Sequence, residues 1–342
     1  MSVVGGRHSG RTSRAEPVDQ PVADRLIDWF AEHARDLPWR RPTAGAWGVL
    51  VSEVMLQQTP VSRVEPVWTA WLARWPTPGA LAADPPGEAI RAWGRLGYPR
   101  RALRLHECAT VLVAEHGGQV PDDLDVLLAL PGIGAYTARA VAAFAFGQRQ
   151  PVVDTNVRRV VARVVTGAAD GGPATTAADL VAALALLPEV PSRAARASAA
   201  LMELGAVVCT ARAPRCTGCP VSDRCAWRRA GRPAPEGPSR RPQRYAGTDR
   251  QVRGLLLAVL RDATGPVPVD RLDLVWPDAV QRRRALATLV EDGLVDPLAG
   301  HRYALPDGPA TKPPGPASGA ARTGDGPVTG SGAERPGAGA ER

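Results

Sequence analysis

Four of the five cysteines, Cys209, Cys216, Cys219 and Cys225, follow one another as C-x6-C-x2-C-x5-C. In a reducing compartment such crowded thiols favour a metal site over disulfides, and four thiolates can enclose one tetrahedral zinc or an iron–sulfur cube. Zinc sites usually pair two C-x2-C steps, whereas this segment has one. Two carboxyl groups stand out beside them. Glu53 lies among Trp47, Leu50, Val51, Val54 and Met55, where burial would raise its pKa and keep it protonated as an acid. Asp154 follows Pro151-Val152-Val153 at a predicted helix start, where backbone amides would keep it ionised. One protonated and one ionised carboxyl suit a general acid and an electrostatic stabiliser. The plainer alternatives are an exposed helix glutamate and an ordinary N-cap.

A third feature is Leu130-Pro131-Gly132-Ile133-Gly134 between two apolar segments. Glycines at Gly132 and Gly134 let backbone N–H groups approach a phosphate at a helix N-terminus, as in a helix-hairpin-helix clamp on the DNA backbone. A tight helix-to-helix turn is the bland reading. Arg212, Arg215 and Arg224 add positive charge to the cysteine segment. Cys108 reads as a small core residue.

The elements that must hold these groups are helical. The apolar stripe at 47, 50, 51, 54 and 55 has i, i+3, i+4, i+7, i+8 spacing. Further helices are expected at about 22–35, 61–74, 86–95, 99–115, 122–130, 135–146, 155–166, 175–187 and 192–208, with breaks at Pro76–Gly79 and Asp84–Gly87. The spacing therefore predicts an all-α main domain over 18–208 with a helix-hairpin-helix at 122–146, then a cysteine loop at 209–228. A basic linker at 229–247 follows, since Arg228–Arg244 holds six arginines and one acid. Residues 248–306 read as three helices and a hairpin, the pattern of a winged helix. Residues 1–17 read as a flexible arm and 307–342 as a disordered tail, the latter with nine glycines and six prolines.

Composition narrows the function classes. The chain of 342 residues carries 42 Lys+Arg against 34 Asp+Glu, a formal charge of +8. Its single lysine is Lys312, so lysine Schiff-base chemistry in the helical domain is ruled out. No run of 18 apolar residues and no signal-peptide core is present; a cytoplasmic protein is expected, nucleoid-associated if bacterial, with no membrane partner.

Taken in order, Ser52-Glu53-Val54-Met55-Leu56-Gln57-Gln58-Thr59, Leu96-Gly97-Tyr98, Leu130–Gly134, Val153-Asp154-Thr155-Asn156-Val157-Arg158-Arg159-Val160 and the four cysteines resemble the MutY-type adenine DNA glycosylases. The match runs over about residues 20–228. The resemblance implies a two-lobed helix-hairpin-helix glycosylase fold with a 4Fe-4S cluster on Cys209, Cys216, Cys219 and Cys225. It also implies a monomer that binds double-stranded DNA and removes adenine mispaired with 8-oxoguanine or guanine. Such cleavage needs the base flipped out, an acid for the departing base and a carboxylate for the oxocarbenium-like sugar.

By the same resemblance, Glu53, Asp154, Tyr136 and Asn156 are catalytic, with Tyr136 near Asp154 and Asn156 beside the water. Gln57, Gln58, Thr59, Tyr98, Gly132, Gly134 and Arg158 contact DNA, Tyr98 as a wedge. Trp39, Arg40, Leu56 and Glu203 line the adenine pocket. Tyr136 occupies the position of the lysine in the bifunctional lyases, which implies a monofunctional enzyme.

Glu53 argues against the thymine- or uracil-mismatch relatives on the same fold. A non-enzymatic iron–sulfur DNA regulator would leave Glu53, Asp154 and the hairpin unexplained together. Three departures are visible: Thr155 replaces the usual glycine, Pro99 replaces a second tyrosine, and the 60-residue C-terminal unit replaces a nudix-like domain of about a hundred residues.

Overall fold

The computed structural model describes residues 21–172, 174–235 and 245–308. The expected arm at 1–17, residues 236–244 of the linker at 229–247 and nearly all of the tail at 307–342 lie outside them. In chain order the helices are α1 (Val22–His33), α2 (Gly45–Leu56), α3 (Val61–Arg74), α4 (Pro78–Ala83), α5 (Pro86–Trp93), α6 (Arg100–Glu115), α7 (Leu124–Ala129) and α8 (Ala135–Phe144). There follow α9 (Thr155–Val161), α10 (Ala177–Ala185), α11 (Pro191–Val207), α12 (Ala226–Arg229), α13 (Asp249–Asp262), α14 (Val269–Asp273) and α15 (Ala279–Glu291). Strands β1 (Val267–Pro268), β2 (Asp296–Leu298) and β3 (Arg302–Ala304) are short. No helix among the described residues is long and apolar enough to cross a membrane.

Two apolar cores make two lobes. One core runs through α2 to α8 and includes Trp71, Trp75 and Trp93, whose rings meet edge to face at 4.6 and 5.7 Å. The other joins α1, α9, α10 and α11. Ala140 and Ala143 on α8 meet Val152 and Ala195 in a small third cluster between them, and these alanines let backbones approach closely where bulkier side chains would hold the lobes apart.

The central helix α2 departs from the expected stripe. It is buried on every side from Trp47 to Met55, polar Ser52 and Glu53 included, because α3, α6 and α8 surround it. The break expected at Pro76–Gly79 is in part a helix start: Thr77 caps α4 by accepting from Ala80 N, with Pro78 at the first helical position. The helix expected at 155–166 ends in one widened π-type turn, Ala162–Thr166.

The C-terminal unit has the winged-helix arrangement of α13, α14, α15 and a sheet in the order β1-β3-β2. Strand β1, with Pro268 in its two residues, is too short to announce itself in sequence. The unit shares the core of the first lobe through Val252, Leu256, Leu260 and Leu305. Gly87 on α5 donates its N–H to the Pro306 carbonyl at 2.7 Å, and a Cβ there would sit 2.6 Å from that oxygen. Arg261 Nε donates to Ile90 O at 3.0 Å and Arg91 Nη1 to Ala263 O at 2.9 Å. The basic linker thus joins two bodies that are packed together.

Candidate active site

The site forms where α2, the start of α8 and the start of α9 converge. Glu53 is 6% exposed, and burial pushes its carboxyl pKa up to about 7, against the pull of the hydrogen bond from Tyr136. The Tyr136 hydroxyl is held far above its ordinary pKa, by burial first and then by the charges of Glu53 and Asp154. It therefore stays protonated and donates to Glu53. Asp154 also lies close enough to Glu53 for its charge to raise the latter's pKa. Glu53, Tyr136 and Asp154, far apart in sequence, share one buried site.

Asp154 caps α9: its Oδ1 accepts from Val157 N at 2.7 Å and its Oδ2 from Asn156 Nδ2 at 2.9 Å. The expectation that amides alone set its ionisation is corrected here. Burial raises its pKa, and the amide bonds from Val157 and Asn156 offset that only in part. Asn156 has both ends of its amide engaged, since its Oδ1 accepts from Arg159 Nη2 at 2.8 Å. It holds Asp154 directly. Arg159, which sequence reasoning passed over, also donates to Gly205 O at 2.7 Å and Cys209 O at 2.8 Å. Gly205 is required where it stands, because a Cβ there would lie 2.7 Å from Asn156 Cβ.

Glu203 is fully buried, and Arg35 and Arg40 grip it: Arg35 Nε to Oε1 at 2.7 Å, Arg35 Nη2 to Oε2 at 2.9 Å, Arg40 Nη2 to Oε2 at 2.8 Å. Burial alone would raise its pKa, but the two arginines bring it down to about 2. Arg40's charge also reaches Glu53. Arg35 was not foreseen. Trp39 is buried against Trp68 at 5.9 Å in the first lobe's core, and Leu56 is half-buried at the end of α2.

Among the residues expected at DNA, Gln58 and Tyr98 are exposed and Gln57 is half-buried, its Nε2 donating to Thr137 Oγ1 at 3.2 Å. Thr59 and Arg158 need correction. Thr59 is buried, with its hydroxyl 3.2 Å from Gln57 O and 3.3 Å from Leu96 O. Arg158 is buried and donates to Gly172 O at 2.8 Å. Both point inward because helix and loop ends here supply carbonyls that need donors.

The hairpin joins α7 to α8. Gly132 has φ +75°, which favours glycine, and a Cβ would meet Arg104 Cβ at 2.7 Å. Gly134 caps α8, and a Cβ there would meet open space. Together with Arg104, Gln57, Tyr136 and Thr137 the two glycines line an open groove.

Cys209, Cys216, Cys219 and Cys225 line one cavity with Leu204, Val208, Trp227 and Arg163. The four soft thiol donors face one space, a donor set whose chemistry fits a bound iron–sulfur cluster. Arg163, carried by the π-type turn, donates to Cys209 Sγ at 3.3 Å and stacks on Trp227 at 4.5 Å. Arg215, by contrast, donates to the Val207 carbonyl.

Residues 51–183 match the HhH-GPD superfamily of base excision DNA repair proteins, and residues 209–225 match the iron–sulfur binding domain of endonuclease III. An adenine DNA glycosylase of Mycolicibacterium smegmatis is 62% identical over 281 residues, covering 82% of this chain and 94% of that one. The chain belongs to the adenine DNA glycosylases. The homologue of this family from Mycobacterium tuberculosis is 55% identical over 306 residues, covering 89% of this chain and 96% of its own. A solved thermostable thymine-DNA glycosylase superposes with a TM-score of 0.54 at 28% identity over 61% of this chain and 95% of that one. The C-terminal unit is thus shared with the mycobacterial family members, and the cofactor is a 4Fe-4S cluster.

Proposed function

We propose that this glycosylase binds duplex DNA as a monomer, swings adenine out opposite 8-oxoguanine or guanine, and hydrolyses its bond to C1′. The observation that supports this most is Glu53, a fully buried carboxyl with a pKa near 7, in one site with Asp154 and Tyr136. With its pKa raised to about 7, a large share of Glu53 is protonated at neutral pH, and that form gives its proton to a ring nitrogen of adenine as the C1′–N9 bond breaks. The bonding electrons leave with the base. Asp154, held by Val157 N and Asn156, faces the developing positive charge on the sugar as its carboxylate. Water then bonds to C1′ and its proton passes to a site carboxylate.

Tyr136 orients Glu53, while Arg40 and Glu203 shape the wall behind it. Gly132 and Gly134 offer backbone amides to a DNA phosphate, and Gln57, Gln58 and Tyr98 meet the opened duplex. Cys209, Cys216, Cys219 and Cys225 would hold the cluster, which when bound cross-links the loop through four thiolates. With no lysine in either lobe, strand breaks await alkali.

Single-turnover cleavage of duplexes with A opposite 8-oxoguanine, A opposite G and T opposite G, followed by hot alkali, tests the reading. Loss of adenine from the first two supports it. Cutting of the T duplex alone replaces it with a thymine-DNA glycosylase, the activity named for the structural neighbour.

A further inference from the structure

Arg101, near the start of α6, is 9% exposed and has no carboxylate partner among the described residues. Its Nη1 donates to three carbonyls at the end of α2, Val54 at 2.8 Å, Met55 at 3.0 Å and Gln57 at 2.7 Å. Its Nη2 donates to Thr59 Oγ1 at 3.0 Å and Gly97 O at 3.1 Å. The negative end of α2 therefore balances this charge. The guanidinium also lies 5.1 Å from the Trp93 ring and 5.5 Å from the Tyr98 ring.

The two loops it joins share a second peculiarity. Each carries an exposed non-glycine residue in the left-handed region, Gln58 at φ +55° and Tyr98 at φ +48°. Such backbone persists only where surroundings over-determine it, and it gathers at functional sites. Arg101 supplies that constraint on both loops with one planar fork. Its Nε stays buried without a partner, so the fork is placed to serve the loops at the expense of its own hydrogen bonding.

We propose that Arg101 is a positioning residue that locks the Gln57–Thr59 and Gly97–Tyr98 loops into one rigid wedge for opening the duplex. This rests on the reading above that Gln58 and Tyr98 enter the DNA. Lysine at this position keeps the charge but loses the fork and the ring stacking, so it cannot tie both loops at once.

The test uses cluster-loaded full-length enzyme and a duplex carrying 2-aminopurine or adenine opposite 8-oxoguanine. Arg101→Lys should slow both the fluorescence rise of base opening and single-turnover excision on the order of tenfold, and affinity for undamaged duplex should stay within about twofold. In a Gln58→Ala/Tyr98→Ala background the same change should lower excision less than about twofold further, because the wedge it serves is gone. Thr59→Val, which removes one acceptor at similar volume, should lower opening about threefold and serves as the second variant if Arg101→Lys misfolds. An equal loss from Arg101→Lys in both backgrounds, or no loss of opening in either single variant, overturns the proposal. If the Gln58→Ala/Tyr98→Ala enzyme itself opens and cuts normally, the reading of those two residues at DNA fails and the proposal falls with its premise.

Discussion

At the scale of single residues, Glu53 combines a cost to the fold with the capacity to donate a proton. Its pKa rises from 4.5 to about 7 on folding, so the native state binds more protons than the unfolded chain between those values. Stability therefore falls as pH rises through that window. By pH 8 the ionised, buried carboxylate costs on the order of 3 kcal/mol. Glu53→Gln should abolish excision, with at least a 1000-fold loss in single turnover, and should remove this fall in stability when thermal melting is compared at pH 5 and pH 8. Tyr136 acts in the opposite direction on the same group. Its hydroxyl favours the charged carboxylate, so Tyr136→Phe should push the Glu53 pKa above 7. The alkaline limb of the pH–rate profile should then move to higher pH while the plateau falls, and a limb that moves to lower pH would reverse the assignment.

At the scale of elements, two glycines separated by one residue of turn do different work. Gly132 is required by the fold: alanine there needs a positive φ and meets Arg104. Gly132→Ala should lower the unfolding free energy by roughly 1–3 kcal/mol, measured in urea. Gly134 has no such internal reason, so Gly134→Ala should melt normally yet weaken duplex binding several-fold in a fluorescence titration, because the added methyl stands where a phosphate approaches. The same scale explains the cluster loop. The π-type turn after α9 carries Arg163 to Cys209 Sγ, and Arg159 on α9 bonds Asn156 at one end and the Cys209 carbonyl at the other. The cap that holds Asp154 and the loop that holds the cluster are thus two ends of one helix.

At the scale of the whole molecule, charge and docking separate. Residues 21–235 hold 24 arginines against 19 carboxylates, whereas residues 245–308 hold eight against nine. In the C-terminal unit Arg282 pairs with Asp273, Arg284 with Asp249 and Arg253 with Asp292. Among the described residues the net positive charge therefore resides in 21–235. Arg104→Ala, beside the hairpin groove, should flatten the slope of log affinity against log salt by about one, while Arg283→Ala on α15 should leave it unchanged. Docking rests on a close approach at Gly87. Gly87→Ala should loosen the C-terminal unit by roughly 1–3 kcal/mol, visible as faster hydrogen exchange in α13 and α15. Asp292 also pairs with Arg100, two residues beyond Tyr98, at 3.2 Å, so the ratio of cleavage opposite 8-oxoguanine to cleavage opposite guanine is the quantity to follow in that variant.

Helix periodicity, the Pro-Gly-Ile-Gly turn and the cysteine spacing were legible in the chain because each is a local pattern, set by propensity and by the reach of a few residues. The burial of Glu53 was half legible: its apolar neighbours on α2 pointed inward, but only the packing of α3, α6 and α8 closed the remaining sides. Residues whose partners lie far along the chain were not legible at all. Arg35 finds Glu203 across 168 positions and Arg101 finds Val54 across 47, and an arginine among 41 carries no mark of such a partner. Resemblance placed Thr59 and Arg158 at DNA, but a motif carries only their positions, and only the folded chain shows that both side chains turn inward. The residue types that permit adenine excision, and the turns that permit phosphate binding, belong to the sequence by itself. The pKa of Glu53, the placement of Asp154 and the union of the two loops under Arg101 belong to the tertiary structure, because burial and convergence exist only once distant segments have packed.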